Sequence, residues 1–179
     1  MARITAGTVN EDSSMLGVTG SAAFKISGAN TSYVSFSGAY NLTANDSLLA
    51  QISSGTSKSS GNSLINDSET KTISWSLGLL HQNTWRQGDK FALTVSQPMK
   101  VTSGSMNLLL PTVDADGVGG FQASRVDLTS DKTETDFEIG YMAPMSKASS
   151  VYFNTAYKQN VGNTDENATV TALRFMTSF

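Results

Sequence analysis

Polar and apolar residues alternate with a period of two over most of this chain, and no stretch settles into the spacing of an amphipathic helix. The alternation is clearest at the carboxyl end, where Thr169, Thr171, Leu173, Phe175, Thr177 and Phe179 share one face and Arg174 takes the other. The same rhythm runs through residues 15–26, with Leu16, Val18, Ala22, Phe24 and Ile26 on one face. It resumes after turn chemistry at 27–30 with Val34, Phe36, Gly38, Tyr40 and Leu42. Asn45 and Asp46 turn the chain into Leu48, Ala50 and Ile52; Ile73, Trp75, Leu77, Leu79 and His81 make a further strand, and Phe91, Leu93, Val95 and Gln97 another. Residues 57–69 and 114–120 read as polar loops, Pro98 and Pro111 as stops, and 101–105 as a tight reversal into Met106, Leu108 and Leu110. Segments 123–129, 134–141 and 150–158 complete the series, and 3–9 adds a strand at the front. Evenly spaced strands without helices predict an all-β, antiparallel up-and-down β-barrel of roughly ten to twelve strands, because closure removes the sheet edges.

One face of nearly every strand is aliphatic or aromatic and uncharged. The opposite face is small and polar in the first half. In the second half it carries Arg125, Asp127, Glu134, Asp136, Glu138, Lys158 and Arg174, whose mixed signs can pair across strands as a polar interior network. Two arrangements satisfy this pattern. With the apolar face outward, lipid covers it and the polar face lines a lumen. With it inward, Phe24, Phe36, Trp75, Leu77, Leu93, Leu108, Phe137, Ile139 and Phe153 form a core, and the chain is a water-soluble secreted barrel used for binding or support on a surface protein.

Composition bears on that choice. Only 15% of the 179 residues are charged, short of the Lys and Glu that coat a soluble surface. The length suits a single domain, 1–179. Tyr33, Tyr40, Trp85, Phe91, Tyr141 and Tyr157 lie near strand ends, where interfacial girdles belong, and with Phe179 they favour lipid. The loop plan counts against lipid, because the turns after Val113 and Asn83 are not short while those near Thr102 and Asp131 are. No apolar run reaches the length of a membrane-spanning helix, so any crossing is made by strands. The absence of Cys removes disulfides and a cysteine nucleophile and is compatible with an oxidising compartment. A net charge of -3 without a basic cluster argues against a nucleic-acid partner. Residues 1–10 lack the plan of a signal peptide, so an exported chain is expected to be the C-terminal part of a longer precursor.

A series of short pieces then stands out: Glu11-Asp12, Leu16-Gly17 and Gly20-Ser21-Ala22-Ala23-Phe24; Ser74-Trp75-Ser76-Leu77-Gly78; Gly88-Asp89-Lys90 leading to Ser96-Gln97-Pro98; Ser103-Gly104-Ser105; Gly140-Tyr141 before Pro144; and Arg174-Phe175 with Phe179. Over most of its length the chain thereby resembles the C-terminal β-barrel (translocator) region of subtilisin-like serine protease autotransporters. The resemblance implies an outer-membrane translocator or anchor without catalytic activity of its own. It also implies a covalently linked upstream passenger, which could be a serine protease, and a final strand whose Phe175 and Phe179 are the signal read by the barrel-assembly machinery. The chain is short for a complete translocator and shows no plug helix.

Candidate chemistry is sparse, and no cofactor is called for. His81 is the one histidine, and no Gly-x-Ser-x-Gly elbow accompanies it, so a strand-end role is the expectation. Asp114, Asp116 and Gly117 lack the further acids of a calcium loop and read as a turn. Glu134, Asp136 and Glu138 could suggest paired acid/base carboxylates, but their spacing places them on one strand face beside cations. The expectation is a non-enzymatic barrel of the bacterial outer membrane with lipid as its partner; the alternative is a secreted or cell-surface module.

Overall fold

The computed structural model describes residues 1–19, 26–61 and 65–178. Its strands are β1 (Ala2–Asp12), β2 (Ser14–Met15), β3 (Val18–Thr19), β4 (Ile26–Asn41), β5 (Asp46–Gly61), β6 (Ile65–Gln82), β7 (Lys90–Val113), β8 (Gly119–Asp127), β9 (Thr135–Pro144), β10 (Ser149–Gln159) and β11 (Ala168–Thr177). Nine of them form one antiparallel sheet in the order β1-β4-β5-β6-β7-β9-β10-β11, with β8 also on β7, while β2 and β3 make a separate small hairpin. The all-β, up-and-down architecture is as the alternation predicts. The sheet is open, with β1 and β11 as its outer edges.

The long β7 departs from the sequence reading. It runs through Pro98, the segment 101–105 and Pro111 without reversing. On one side β9 covers residues 90–96 and β8 covers 105–113, so β8 and β9 act as one descending strand with an excursion between them. Segment 128–134 fills the gap: Leu128 N–H donates to Gly104 O at 3.1 Å and Lys100 Nζ to Thr133 Oγ1 at 2.6 Å. Pro98 sits in this gap, beside a register shift against β6 between Ile73 and Trp75, and its missing N–H is accommodated there. The loop expected over 57–69 is strand on both of its flanks: β5 continues to Gly61 and β6 begins at Ile65, with the Ser59 and Ser68 hydroxyls pairing across the hairpin, and 62–64 lie outside the described residues. The turn expected at 27–30 lies inside β4. The strand expected over 15–26 is interrupted at Leu16–Gly17, the turn of the β2–β3 hairpin, and Phe24 lies outside the described residues.

The register decides which way the apolar face points. Ile4, Phe36, Ile52 and Trp75 lie opposite one another in succession, as do Leu77, Val95, Phe137 and Tyr157. Phe36, Ile52, Leu93 and Phe137 remain 48%, 47%, 41% and 50% exposed, whereas Met15, Ala29 and Ala156 are the buried apolar side chains among the described residues. The belt therefore covers no core, and the inward-facing reading fails. An uncovered belt of this extent suits lipid. Leu108 is not part of it, for it packs on the opposite face near Met15.

Turns divide by end as a membrane barrel requires. Links 42–45, 83–89 and 145–148 close one end, while the other carries the tall β5–β6 and β7–β8 hairpins, the β2–β3 hairpin and segments 128–134 and 160–167. With 24 residues, β7 extends about 80 Å, far more than a tilted crossing needs. Its far end stands clear of hydrocarbon, and short periplasmic turns mark the opposite end. On that lower rim Trp85 packs edge-on against Phe91 and Tyr141, with ring centroids 6.1 and 5.0 Å apart. Asp89, fully buried, accepts the N–H groups of Thr84 (2.6 Å), Trp85 (3.0 Å) and Arg86 (3.1 Å) and the Tyr141 hydroxyl (2.8 Å). Burial raises its pKa, but these donors together lower it further, so it stays ionised at neutral pH.

At the upper end the β2–β3 hairpin folds onto the polar face. Met15 packs on Ala29, with Leu16, Met106 and Leu108 around them, and accepts a contact from Ser68 Oγ at 3.4 Å. Glu11 pins the hairpin by accepting the N–H groups of Leu16 (2.7 Å) and Gly17 (2.8 Å) and the Ser14 hydroxyl (3.1 Å). The Gly17 and Leu16 amides hold its carboxyl below the usual range.

Two outcomes are expected. Phe36→Arg, on the belt, should cost about 2–4 kcal/mol of membrane stability near the midplane, read as loss of heat-modifiable folded protein in urea titrations in lipid. Because Glu11's pKa is lowered by folding, its contribution to the hairpin is present above the ordinary carboxylate range and lost as pH falls through the folded value. Amide exchange at Leu16 and Gly17 should therefore quicken on acidification, and Glu11→Gln should be fast already at neutral pH.

Candidate functional site

The face opposite the belt is built from hydroxyls and amides. Thr5, Ser35, Ser53 and Ser74 lie opposite one another along one row, and Ser37, Gln51, Ser76 and Ser96 along the next. Ser53 donates to Ser35 and Thr31 to Ser57, each at 2.8 Å. Higher up, Ser57, Ser59, Ser68, Thr70 and Thr72 are buried. Small side chains keep this wall shallow. Tyr33, expected in a girdle, belongs to this face, opposite Gly7. A Cβ at Gly7 would stand 3.0–3.1 Å from the Tyr33 ring, so the glycine is what lets the ring lie close against the sheet. Arg3, Tyr33, Ser37 and Gln51 line a recess of about 350 Å³ beside it.

The charged residues singled out in the sequence divide into three places. Lys158 Nζ lies 2.7 Å from Asp136 Oδ2 and 3.3 Å from Glu134 Oε1. Glu134, buried, also accepts the Gly162 N–H at 2.7 Å, and its own N–H donates to Asn163 Oδ1 at 3.0 Å. The triad thus fastens the β10–β11 connection to β9. Glu138 stands on the same face further down and accepts from Asn154 Nδ2. Arg174, opposite Tyr152, shares a recess of about 400 Å³ with Lys90 and Asn154 and makes no ion pair with the triad.

Arg125 and Asp127 do not join them. Asp127 lies opposite Ser105, which faces Glu69, which faces Lys58, and this row continues the side that carries Phe36 and Ile52. The two residues therefore stand on the belt's side, beyond its upper edge. The miscount arose from reading 101–105 as a reversal, which broke the parity connecting the first half to the second. Residues Arg3, Gln51 and Lys90 were missed on the polar face; alternation alone carries the signal for them, and isolated polar residues give no motif.

Elsewhere the chemistry is structural. His81 Nδ1 meets Asp46 Oδ1 at 2.6 Å at the lower end of its strand. Asp114 accepts the N–H groups of Asp116 (3.0 Å) and Val118 (2.8 Å) within its turn. No group of three or more side chains able to hold a metal gathers among the described residues. Phe175 lies on the belt's face, 64% exposed, and Phe179 is outside the described residues.

A family model described as carbohydrate-selective porin, OprB family, matches residues 7–179. No curated protein and no solved structure matches the chain significantly. The match overturns the autotransporter resemblance: the shared pieces are those of an outer-membrane barrel wall, not of a protease translocator, and a secretion passenger loses its support. The porin family is one of channels and not of enzymes. The chain belongs to the OprB family of porins, and its place is in the bacterial outer membrane as an outer-membrane β-barrel channel protein.

Proposed function

We propose that the polar face forms part of the wall of a passive channel for carbohydrates. The observation that carries this reading is the division of one sheet into an uncharged belt on one side and a hydroxyl- and amide-rich surface on the other, in a chain of a family described as carbohydrate-selective. A sugar sheds water only where donors and acceptors replace it, and Ser, Thr, Gln and Asn offer both. Tyr33 adds an apolar ring for the C–H surface of a pyranose, while Arg3 and Gln51 reach its hydroxyls from the same recess. Weak, repeated contacts of this kind let a solute enter and still leave.

Folded over the polar face at the upper end, the β2–β3 hairpin narrows the entry. Lipid is the partner of the belt. The open edges of β1 and β11 leave backbone donors and acceptors that lipid cannot satisfy, so in the membrane they are covered by strands. Phe175, with Phe179, remains our proposed mark for the barrel-assembly machinery.

Planar-bilayer recordings of the full protein test the channel. Maltooligosaccharides should reduce the ion current in a concentration-dependent way, and a current indifferent to every neutral sugar tried would defeat the carbohydrate reading. Combining Tyr33→Ala with Gln51→Ala should raise the half-blocking concentration about tenfold, the equivalent of roughly 1.4 kcal/mol, with the open-channel current retained. Replacing residues 13–19 by a short glycine link should increase single-channel conductance; an unchanged value would remove the hairpin from the conduction path.

A further inference from the structure

A second recess on the polar face stands at the short-turn end of the wall. Lys90 lies opposite Met142, Met142 opposite Tyr152, and Tyr152 opposite Arg174, so one row crosses β7, β9, β10 and β11. The row takes the first residue of β7 and lies within three residues of the ends of the other strands. Phe91 and Tyr141, its neighbours in sequence, pack on Trp85 at the lower rim, which places the row at the periplasmic mouth. In the next row up, Ala92, Gly140, Asn154 and Ala172 lie opposite one another, and Asn154 alone has a side chain longer than a methyl group. A Cβ on Gly140 would stand 3.8 Å from both Ala92 Cβ and Asn154 Nδ2, so the glycine keeps this floor open. The cavity measures about 400 Å³, with Lys90 on one side and Tyr152 and Arg174 on the other, a size for one small solute.

Two charges of one sign border this space. Among the described residues, neither the Lys90 ammonium nor the Arg174 guanidinium makes a hydrogen bond or an ion pair, and both residues are exposed. Their backbones are three strand spacings apart, about 14 Å, near enough for both side chains to line one cavity. The acids nearby are engaged elsewhere. Asp89, next to Lys90 in sequence, is buried in its turn on the Thr84, Trp85 and Arg86 amides and the Tyr141 hydroxyl. Glu138, one row above the floor, accepts from Asn154 Nδ2. Across the three rows the polar face therefore carries two cations and one carboxylate, the reverse of the Lys158 cluster higher on the same strands.

We propose that this recess binds an anionic monosaccharide, a sugar carrying a carboxylate or phosphate, at the periplasmic end of its passage. Arg174 forks onto two oxygens of the anionic group, and Lys90 adds a point charge from the other side. Tyr152 meets the C–H surface of the ring, and the Asn154 carbonyl accepts from a hydroxyl. The inference rests on the polar face being a channel wall and adds a class of solute to it, charged sugars beside neutral ones.

The test is block of the ion current through the full protein in planar bilayers by glucuronate, glucose 6-phosphate, glucose and acetate. Glucuronate and glucose share a ring and differ in the group at C6, so the ratio of their half-blocking concentrations within one protein isolates the charge. In the wild type, glucuronate and glucose 6-phosphate should half-block at about tenfold lower concentration than glucose, and molar salt should erase the difference. In Lys90→Gln with Arg174→Gln the ratio should fall to near one, while Arg174→Lys keeps part of it. A ratio near one in the wild type overturns the proposal, as does a ratio retained in the double variant. Acetate as effective as glucuronate also overturns it, since the recess would then take any small anion. If the double variant does not fold, salt decides: a glucuronate preference that persists in molar salt defeats the proposal. Block by maltooligosaccharides without a glucuronate preference defeats this inference and leaves the channel reading standing. Block by glucuronate through the two cations, with no neutral sugar active, does the reverse.

Discussion

Everything in this structure depends on the backbone ladder between neighbouring strands. A sheet whose largest side chains lie uncovered on one side and whose other side is hydroxyls has no hydrophobic core to hold it; Met15, Ala29 and Ala156 are its buried apolar side chains among the described residues. Pairing of N–H and C=O groups from β1 to β11 fixes the register, and the register sets every functional feature by parity. A shift of one residue between β5 and β6 would send Ile52 and Trp75 to the polar side and Ser53 and Ser74 into lipid. The devices that protect this register sit at the ends of strands: the Asp89 knot with Trp85 and Tyr141 below, the Lys158–Asp136–Glu134 triad on the β10–β11 connection, and the Glu11 clasp above.

The period-two alternation made strand type legible, along with the existence of two chemically distinct faces. It could not say which face was outside, because a soluble barrel and a membrane barrel share one pattern. Pairing supplied the answer by leaving Phe36, Ile52 and Phe137 exposed with nothing packed on them. Strand lengths were harder to read. Residues 57–69 are Ser-, Asn- and Gly-rich, which ordinarily signals a loop, yet β5 and β6 run on to Gly61 and from Ile65, and short polar side chains such as Ser59 and Ser68 pair across the hairpin. Pro98 ordinarily signals a stop, yet β7 has no strand beside it there on one side. Both errors share a cause: local chemistry was read without knowing how tall the hairpins stand.

The pieces that suggested an autotransporter have local physical work to do in the fold. Gly88-Asp89-Lys90 begins β7 with Asp89 collecting the amides of the preceding turn. Gln97-Pro98 lies where β7 crosses from one partner to the next, and Gly104 of Ser103-Gly104-Ser105 leaves room for Thr70 of β6, which a Cβ there would crowd. Gly140-Tyr141 places a rim aromatic against Trp85. Each solves a problem met by any tall, antiparallel wall in lipid, so such pieces recur wherever that wall is built, and they carry no information about what passes through or along it.

Function in this chain is consequently distributed and low in contrast. Hydroxyl rows, one tyrosine set on a glycine and a few separated charges make a surface that no motif search would pick out, because a channel wall needs many weak contacts and no strong one. The charges follow the same economy. On the polar face Lys158 meets both Asp136 and Glu134, so its charge is neutralised within the wall and the cluster as a whole is left net negative. On the other face Lys71 and Arg125 share their groove with Glu69 and Asp127, so charge there too is balanced in place where the belt ends.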